Sequence, residues 1–224
     1  MSKKRFIFYA SFFSFLFLFC AYGQQDDPRS QKIIDEMAAK FKTYPSVSLS
    51  FSATITQLQD KSETELEGKI WVKDLKYKLE IPESVIYFDG SKIYQYLPEV
   101  NEVNIMKPDS NEDDEEFQLL NPQTWFNLTS KSFKSNLVKE SVHDKRNVTE
   151  IDLYPIQLKT TRFIRIRVMV EKTTLQLVYV KVFMKDGTHY ELSFKPYQTL
   201  QLRDSFFTFN TLEHPKVEVI DLSF

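Results

Sequence analysis

The sequence predicts a mainly β protein, with one antiparallel sheet of about eleven strands and two helical pieces to cover it. Three observations predict this. Apolar and polar residues alternate with period two in segment after segment, so each strand has one wet face, as strands of antiparallel sheets do. Asp89-Gly90 and Asp186-Gly187 stand between such runs, where a tight turn needs positive φ. Helical spacing of apolar residues appears at only two places.

Composition narrows the function classes. The chain has 224 residues, 42% hydrophobic and 27% charged, the proportions of a folded protein. Lys and Arg number 29 against 31 Asp and Glu, so no basic field exists to hold nucleic acid. Phe 20, Tyr 11 and Trp 2 allow a large aromatic core. A single cysteine excludes a disulfide framework and a Cys-rich zinc module.

The elements follow in order. Lys3, Lys4 and Arg5 precede an apolar run from Phe6 to Cys20, the length of a secretory h-region. Ala21-Tyr22-Gly23 supplies small residues three apart, so residues 1–23 read as a cleaved signal peptide and the mature chain as starting at Gln24. A rival reading makes Cys20 a lipidated N-terminus, but the bulky Phe19 before it speaks against that. Asp27-Pro28 is an N-cap and N1 pair, and Ile33, Ile34, Met37, Ala38 and Phe41 form one stripe, giving a helix over 28–42 that Pro45 ends. Val47, Leu49, Phe51, Ala53 and Ile55 then alternate with serine and threonine. The same alternation recurs in Leu75, Tyr77, Leu79 and Ile81, in Ile164, Ile166, Val168 and Val170, and in Tyr190, Leu192 and Phe194. A second helical piece follows Asn121-Pro122 with Trp125, Phe126 and Leu128, after an acidic block at 109–116 that reads as a solvated loop rather than a calcium site. No repeat or linker divides residues 24–224, which predicts one domain.

Catalytic chemistry is missing. His143, His189 and His214 have no second histidine or carboxylate at metal spacing and read as surface residues. No nucleophile elbow, phosphate-cradling glycine loop or mature cysteine nucleophile is present. A hydrolase with carboxylates from distant strands stays open as a third reading, but an apolar face does not suit acid and base work. Neither an enzyme nor a cofactor or metal is predicted. The sequons Asn127-Leu128-Thr129 and Asn147-Val148-Thr149 mean something only in a glycosylating pathway.

The succession Glu67-Gly68-Lys69-Ile70-Trp71-Val72-Lys73, Tyr77-Lys78-Leu79-Glu80, Pro82 and Phe88-Asp89-Gly90-Ser91-Lys92-Ile93-Tyr94-Gln95-Tyr96-Leu97-Pro98 resembles the LolA family of periplasmic outer-membrane lipoprotein carriers. It is similar to that family's G-x-hydrophobic-W-V-K strand and its D-G-K hairpin. Phe207-Thr208-Phe209, Pro215 and Val217-Glu218-Val219-Ile220-Asp221 are similar to its ending. The chain departs from the family where Asp74 and Leu75 follow Lys73, a place where members carry a basic residue and a proline. A lid latch centred on that arginine therefore does not transfer. Lys216 stands near where the ending has glycine, and the acidic block is longer than the family's.

The resemblance implies an incomplete, half-open antiparallel β-barrel whose open side is covered by helices over an apolar cavity. Inward positions would be Leu49, Phe51, Ile55, Ile70, Val72, Tyr77, Leu79, Tyr94, Tyr96, Ile164, Ile166, Val168, Tyr190, Leu192 and Phe194, with Ile34, Met37, Phe41, Trp125 and Phe126 in the lid. Trp71, which alternates with these, falls at the rim or on the outer side. The function implied is a monomeric periplasmic carrier of acylated lipoproteins. It would be loaded by an inner-membrane ABC-type lipoprotein-releasing transporter and would deliver to the outer membrane, in some lineages through a receptor. Alternatives with the same half-barrel are a lipid-anchored receptor, an envelope sensor, or a carrier of another lipidic cargo.

Overall fold

The computed structural model describes residues 26–108, 122–126, 128–159 and 161–223. Residues 1–23, expected as a signal peptide, Gln24, the acidic block 109–116 and Asn127 lie outside them.

Helix α1 (Pro28–Phe41) starts where Asp27 accepts a hydrogen bond from the Arg29 N–H and Pro28 occupies the first turn. Its stripe buries Ile34, Met37 and Ala38. After Pro45 the chain runs through β1 (Val47–Gln57), β2 (Ser62–Lys73), β3 (Lys76–Ile81), β4 (Ser84–Phe88), β5 (Ile93–Leu97) and β6 (Glu102–Met106). The one-turn helix α2 (Pro122–Phe126) precedes β7 (Phe133–His143), β8 (Arg146–Pro155), β9 (Phe163–Glu171), β10 (Leu177–Met184) and β11 (Thr188–Phe194). The short β12 (Gln198–Thr199), 3₁₀ turns at Asp204–Phe207 and Thr211–Glu213, and β13 (Glu218–Asp221) complete the chain.

All strands join one open, curled sheet in the order β13-β6-β5-β4-β3-β2-β1-β11-β10-β9-β8-β7, with β12 added onto β1. Every pairing is antiparallel except β13 on β6. The sheet thus has 13 strands rather than about eleven; the surplus includes β12 and β13, too short to show an alternation. The Asp-Gly turns form as expected, with Gly90 at φ +97° and Gly187 at φ +91°. At the β2–β3 turn, however, Asp74 takes positive φ and Leu75 is left 66% exposed, so the strand begins one residue later than the alternation suggests.

Register decides which residues share a face. Val47, Leu49, Phe51 and Ala53 lie opposite Val72, Ile70, Gly68 and Leu66 of β2, and Phe51 and Ala53 lie opposite Phe194 and Leu192 of β11. Val72 and Ile70 continue the row to Tyr77 and Leu79, and these to Phe88 and Ile86. Leu192 continues it the other way to Val180, Val168 and Ile151. This apolar row packs with Ile34 and Met37 of α1 and Trp125 and Phe126 of α2 into one core. Gly68 is needed there: a Cβ would lie 2.5 Å from the Phe51 ring and 2.6 Å from the Glu80 carbonyl oxygen.

Candidate functional site

Of the expected inward residues, Leu49, Phe51, Ile70, Val72, Tyr77, Leu79, Ile166, Val168, Leu192 and Phe194 are buried on the helix-covered face. Ile55 and Tyr190 lie opposite each other on that face near its end and are half-buried. Tyr77 packs on Phe88 at 5.5 Å between ring centres, and burial pushes its hydroxyl well above the usual phenol range.

Three expectations are corrected. Tyr94 and Tyr96 lie on the opposite face, because Phe88 pairs with Ile93 and so hands the inner row to Ile93. In β5 Ile93, Gln95 and Leu97 alternate with Tyr94 and Tyr96, so both faces carry large apolar groups and the alternation alone could not choose. Ile164 is 47% exposed. A register shift at Phe183 and Met184 sets Phe163 opposite Met184, which turns the end of β9 over and gives Phe163 the core position.

The residues expected in the lid pack together. Ile34, Met37, Trp125 and Phe126 are buried, and Phe41 is half-buried against them. Polar bonds hold only part of α1. At its start the Asp27 N–H donates to the Ser135 carbonyl, the Ser135 N–H donates to Asp26 Oδ1, and the Ser30 and Ser135 hydroxyls meet at 2.7 Å. Midway, Asp35 accepts from the Ser130 N–H and hydroxyl at 3.0 and 2.8 Å. The far end is closed by rings. Phe41 stacks on Phe126 at 4.1 Å with 1° between planes, and Tyr197 meets both edge-on. Tyr197, a residue the alternation did not single out, donates to the Leu177 carbonyl and is anchored to the sheet rather than to the helix.

This aromatic seam fastens the far end of α1 over the sheet. Among the described residues it also packs the space between that end and the sheet. Beneath the seam, between Met37, Phe126 and Leu177, only about 10 Å³ remains, room for about one water. A groove of about 230 Å³ opens beside it, walled by Phe41, Tyr44, Val47, Val72 and Leu75 together with Lys42 and Asp74. Trp125 packs on Phe194 at 5.6 Å, and its buried indole N–H has no acceptor among the described residues.

The opposite face of β2–β5 carries a second cluster that the sequence reading assigned only in part. Trp71 lies there, as expected, under Phe206, with Lys69 and Lys78 over its ring. Tyr87 and Tyr96 receive Phe209, on which His214 stacks at 4.7 Å. Asp204 fastens this segment to Lys73 and Lys76 at 2.7 Å each, and these ammonium groups hold its carboxyl down at about 2. His143 and His189 also pack on aromatic rings, so all three histidines are half-buried rather than free surface groups. Among the described residues no three of His, Cys, Asp and Glu gather as a metal site.

Comparisons with known proteins place this geometry. No curated protein matches the chain. Among solved structures, an uncharacterized conserved protein from Thermus thermophilus superposes with TM-score 0.53 and 10% identity over 86% of this chain and 99% of its own. A lipoprotein-sorting protein domain from Vibrio parahaemolyticus gives 0.47 and 10% over 83% and 98%, and a LolA superfamily protein from Nitrosomonas europaea gives 0.42 and 11% over 80% and 97%. At such identities the likeness speaks for the fold alone. Residues 42–210, more than half of the chain, match the family described as outer membrane lipoprotein carrier protein LolA. An open curled sheet with a helical lid, carrying this family's sequence pattern over most of its length, places the chain in the LolA family.

Proposed function

We propose that the protein is a carrier that takes up the acyl chains of lipoproteins between its lid helices and its sheet and moves them across the periplasm. Loading by an inner-membrane ABC-type transporter and delivery to the outer membrane complete the reading. Residues 24–224 act as one carrier domain after removal of residues 1–23. The observation that carries the proposal is the seam: above an apolar sheet face, the far end of α1 is closed by stacked and edge-on rings, beside an open groove.

Magnitudes make the exchange feasible. An acyl chain of about fifteen methylenes resists water by about 12 kcal/mol. Opening the seam re-exposes some 300 Å² of aromatic surface, which costs about 8 kcal/mol. The incoming chain replaces those contacts, so binding falls well short of the bilayer's full value and the cargo can be surrendered. The groove beside the seam does not reach beneath the lid, so α1 must swing away from its Phe41 end to admit a whole chain while the Ser30 end stays pinned. No phosphate loop is needed in the carrier, because the transporter supplies the energy.

The test is to incubate the mature protein with energised membranes that contain the transporter and a labelled lipoprotein. Release of a soluble complex whose acyl chains appear by mass spectrometry supports the reading. A bound free glycolipid in place of acylated protein, or no release, overturns it. Intact-mass measurement should find a chain starting at Gln24; a lipid on Cys20 would favour the anchored-receptor alternative.

A further inference from the structure

The hollow on the face away from the lid is larger than either space beside the helices, about 730 Å³, and the carrier reading does not use it. Its size is that of a small-ligand site. The outer face of β3 and β4 contributes Lys78 and Tyr87, and the segment 201–214 supplies the remaining wall.

The site is rigid. Phe207 is fully buried, Asp204 clamps the segment to Lys73 and Lys76, and the Lys78 ammonium is held 2.7 Å from Glu80 among the rings of Trp71, Tyr87 and Phe206, 5.0 to 5.3 Å away. Preformed walls lose little entropy on binding.

The lining chemistry selects the ligand. Half-buried faces of Tyr87, Phe206 and His214 offer ring platforms, and Gln201 and Thr208 stand among them as neutral hydrogen-bonding groups. Sugar rings need this pairing: their C–H faces lie on aromatic rings while their hydroxyls bond amides and alcohols. Of the charges, Lys78 is paired with Glu80 and Glu213 keeps its negative charge while accepting from the neutral Asn210 amide at 2.8 Å, whereas no acid is paired with the exposed Arg203 among the described residues. The cation left without an acid is therefore Arg203, and its guanidinium suits a carboxylate or phosphate. An extended peptide fits less well. The segment's N–H groups at Phe206, Thr208, Glu213 and His214 are spent on its own turns, leaving no free edge for strand addition.

We propose that this cleft binds a short acidic saccharide, its rings stacked between Tyr87, Phe206 and His214 and its anionic group on Arg203. The site lies on the other face of the sheet from the acyl-chain site and works independently of it.

The experiment is an NMR titration of the isotope-labelled mature protein with trigalacturonate, maltotriose and hexaglutamate. Trigalacturonate should shift the resonances of 201–214 and of Tyr87, and should bind at least tenfold tighter than the other two. Arg203→Glu should weaken it at least tenfold without lowering Tm, and acyl-chain uptake should be unchanged. No shifts with trigalacturonate at about 10 mM, equal binding of neutral maltotriose, equal or tighter binding of hexaglutamate, or shifts confined to other surfaces would each overturn the proposal.

Discussion

Replacing Phe41 with alanine tests whether the seam, and not the helix as a whole, is the barrier to cargo. A buried Phe→Ala change costs about 3–5 kcal/mol. Phe41 is half-buried, and its main partner is the parallel ring of Phe126 at 4.1 Å, so about 2 kcal/mol is the share lost by the closed state, including a stacking contribution of about 1 kcal/mol. At 1.36 kcal/mol per decade this raises the open population about thirtyfold. Apparent acyl affinity scales with the competent fraction. The bound chain also loses one wall, worth several carbon contacts at about 0.1–0.2 kcal/mol each, which leaves a net gain near tenfold. The assay is titration with a fluorescent sixteen-carbon acyl chain, with thermal unfolding in parallel. Affinity should rise about tenfold while Tm falls by roughly 4–8 °C. If Tm falls as expected and affinity is unchanged or weaker, the seam is not the gate.

Other residues give further tests. Trp125→Phe removes a buried N–H that has no acceptor among the described residues, so stability should hold or rise by up to about 1 kcal/mol; if that N–H serves an ester carbonyl of the cargo, acyl-ester affinity should drop about fivefold while affinity for a plain hydrocarbon probe is kept. Gly68→Ala forces Phe51 and the Glu80 carbonyl aside. It should cost about 2–3 kcal/mol in urea unfolding, and a loss below about 0.5 kcal/mol would show that the ring yields freely. Asp204 has its carboxyl held down by Lys73 and Lys76, so its contribution is complete above the ordinary carboxylate range and is lost as pH falls from about 4 through 2. Fluorescence of Trp71, read in a Trp125→Phe background, should follow that loss as Phe206 loosens, and Asp204→Asn should remove this pH dependence; a transition that persists in Asp204→Asn would assign it to another group.

The elements were legible because their signals are local. Asp27-Pro28 marks the start of α1, and the serine alternation of β1 names the face that packs under it. The glycine turns at 90 and 187 require nothing beyond their own backbone. The site was legible where a strand has one apolar face, as in Leu49, Ile70 and Val168. It was not legible in β5, where Tyr94 and Tyr96 compete with Ile93 for the inside, nor in β9, where a shift of register displaces Ile164. Both outcomes depend on a neighbouring strand, and spacing along one strand carries no record of its neighbour.

Alternation and turn chemistry in the chain itself determined an antiparallel sheet with a helical cover and a family resemblance that the match over 42–210 bears out. Tertiary structure alone decided that the space beneath the lid is packed by Phe41, Phe126 and Tyr197, and that Phe209 and His214 close over the other face on Tyr96. Volume is a property of side chains arriving from distant parts of the chain. Whether an apolar face becomes a cavity or a core depends on how many rings meet there, and only the folded arrangement sets that number.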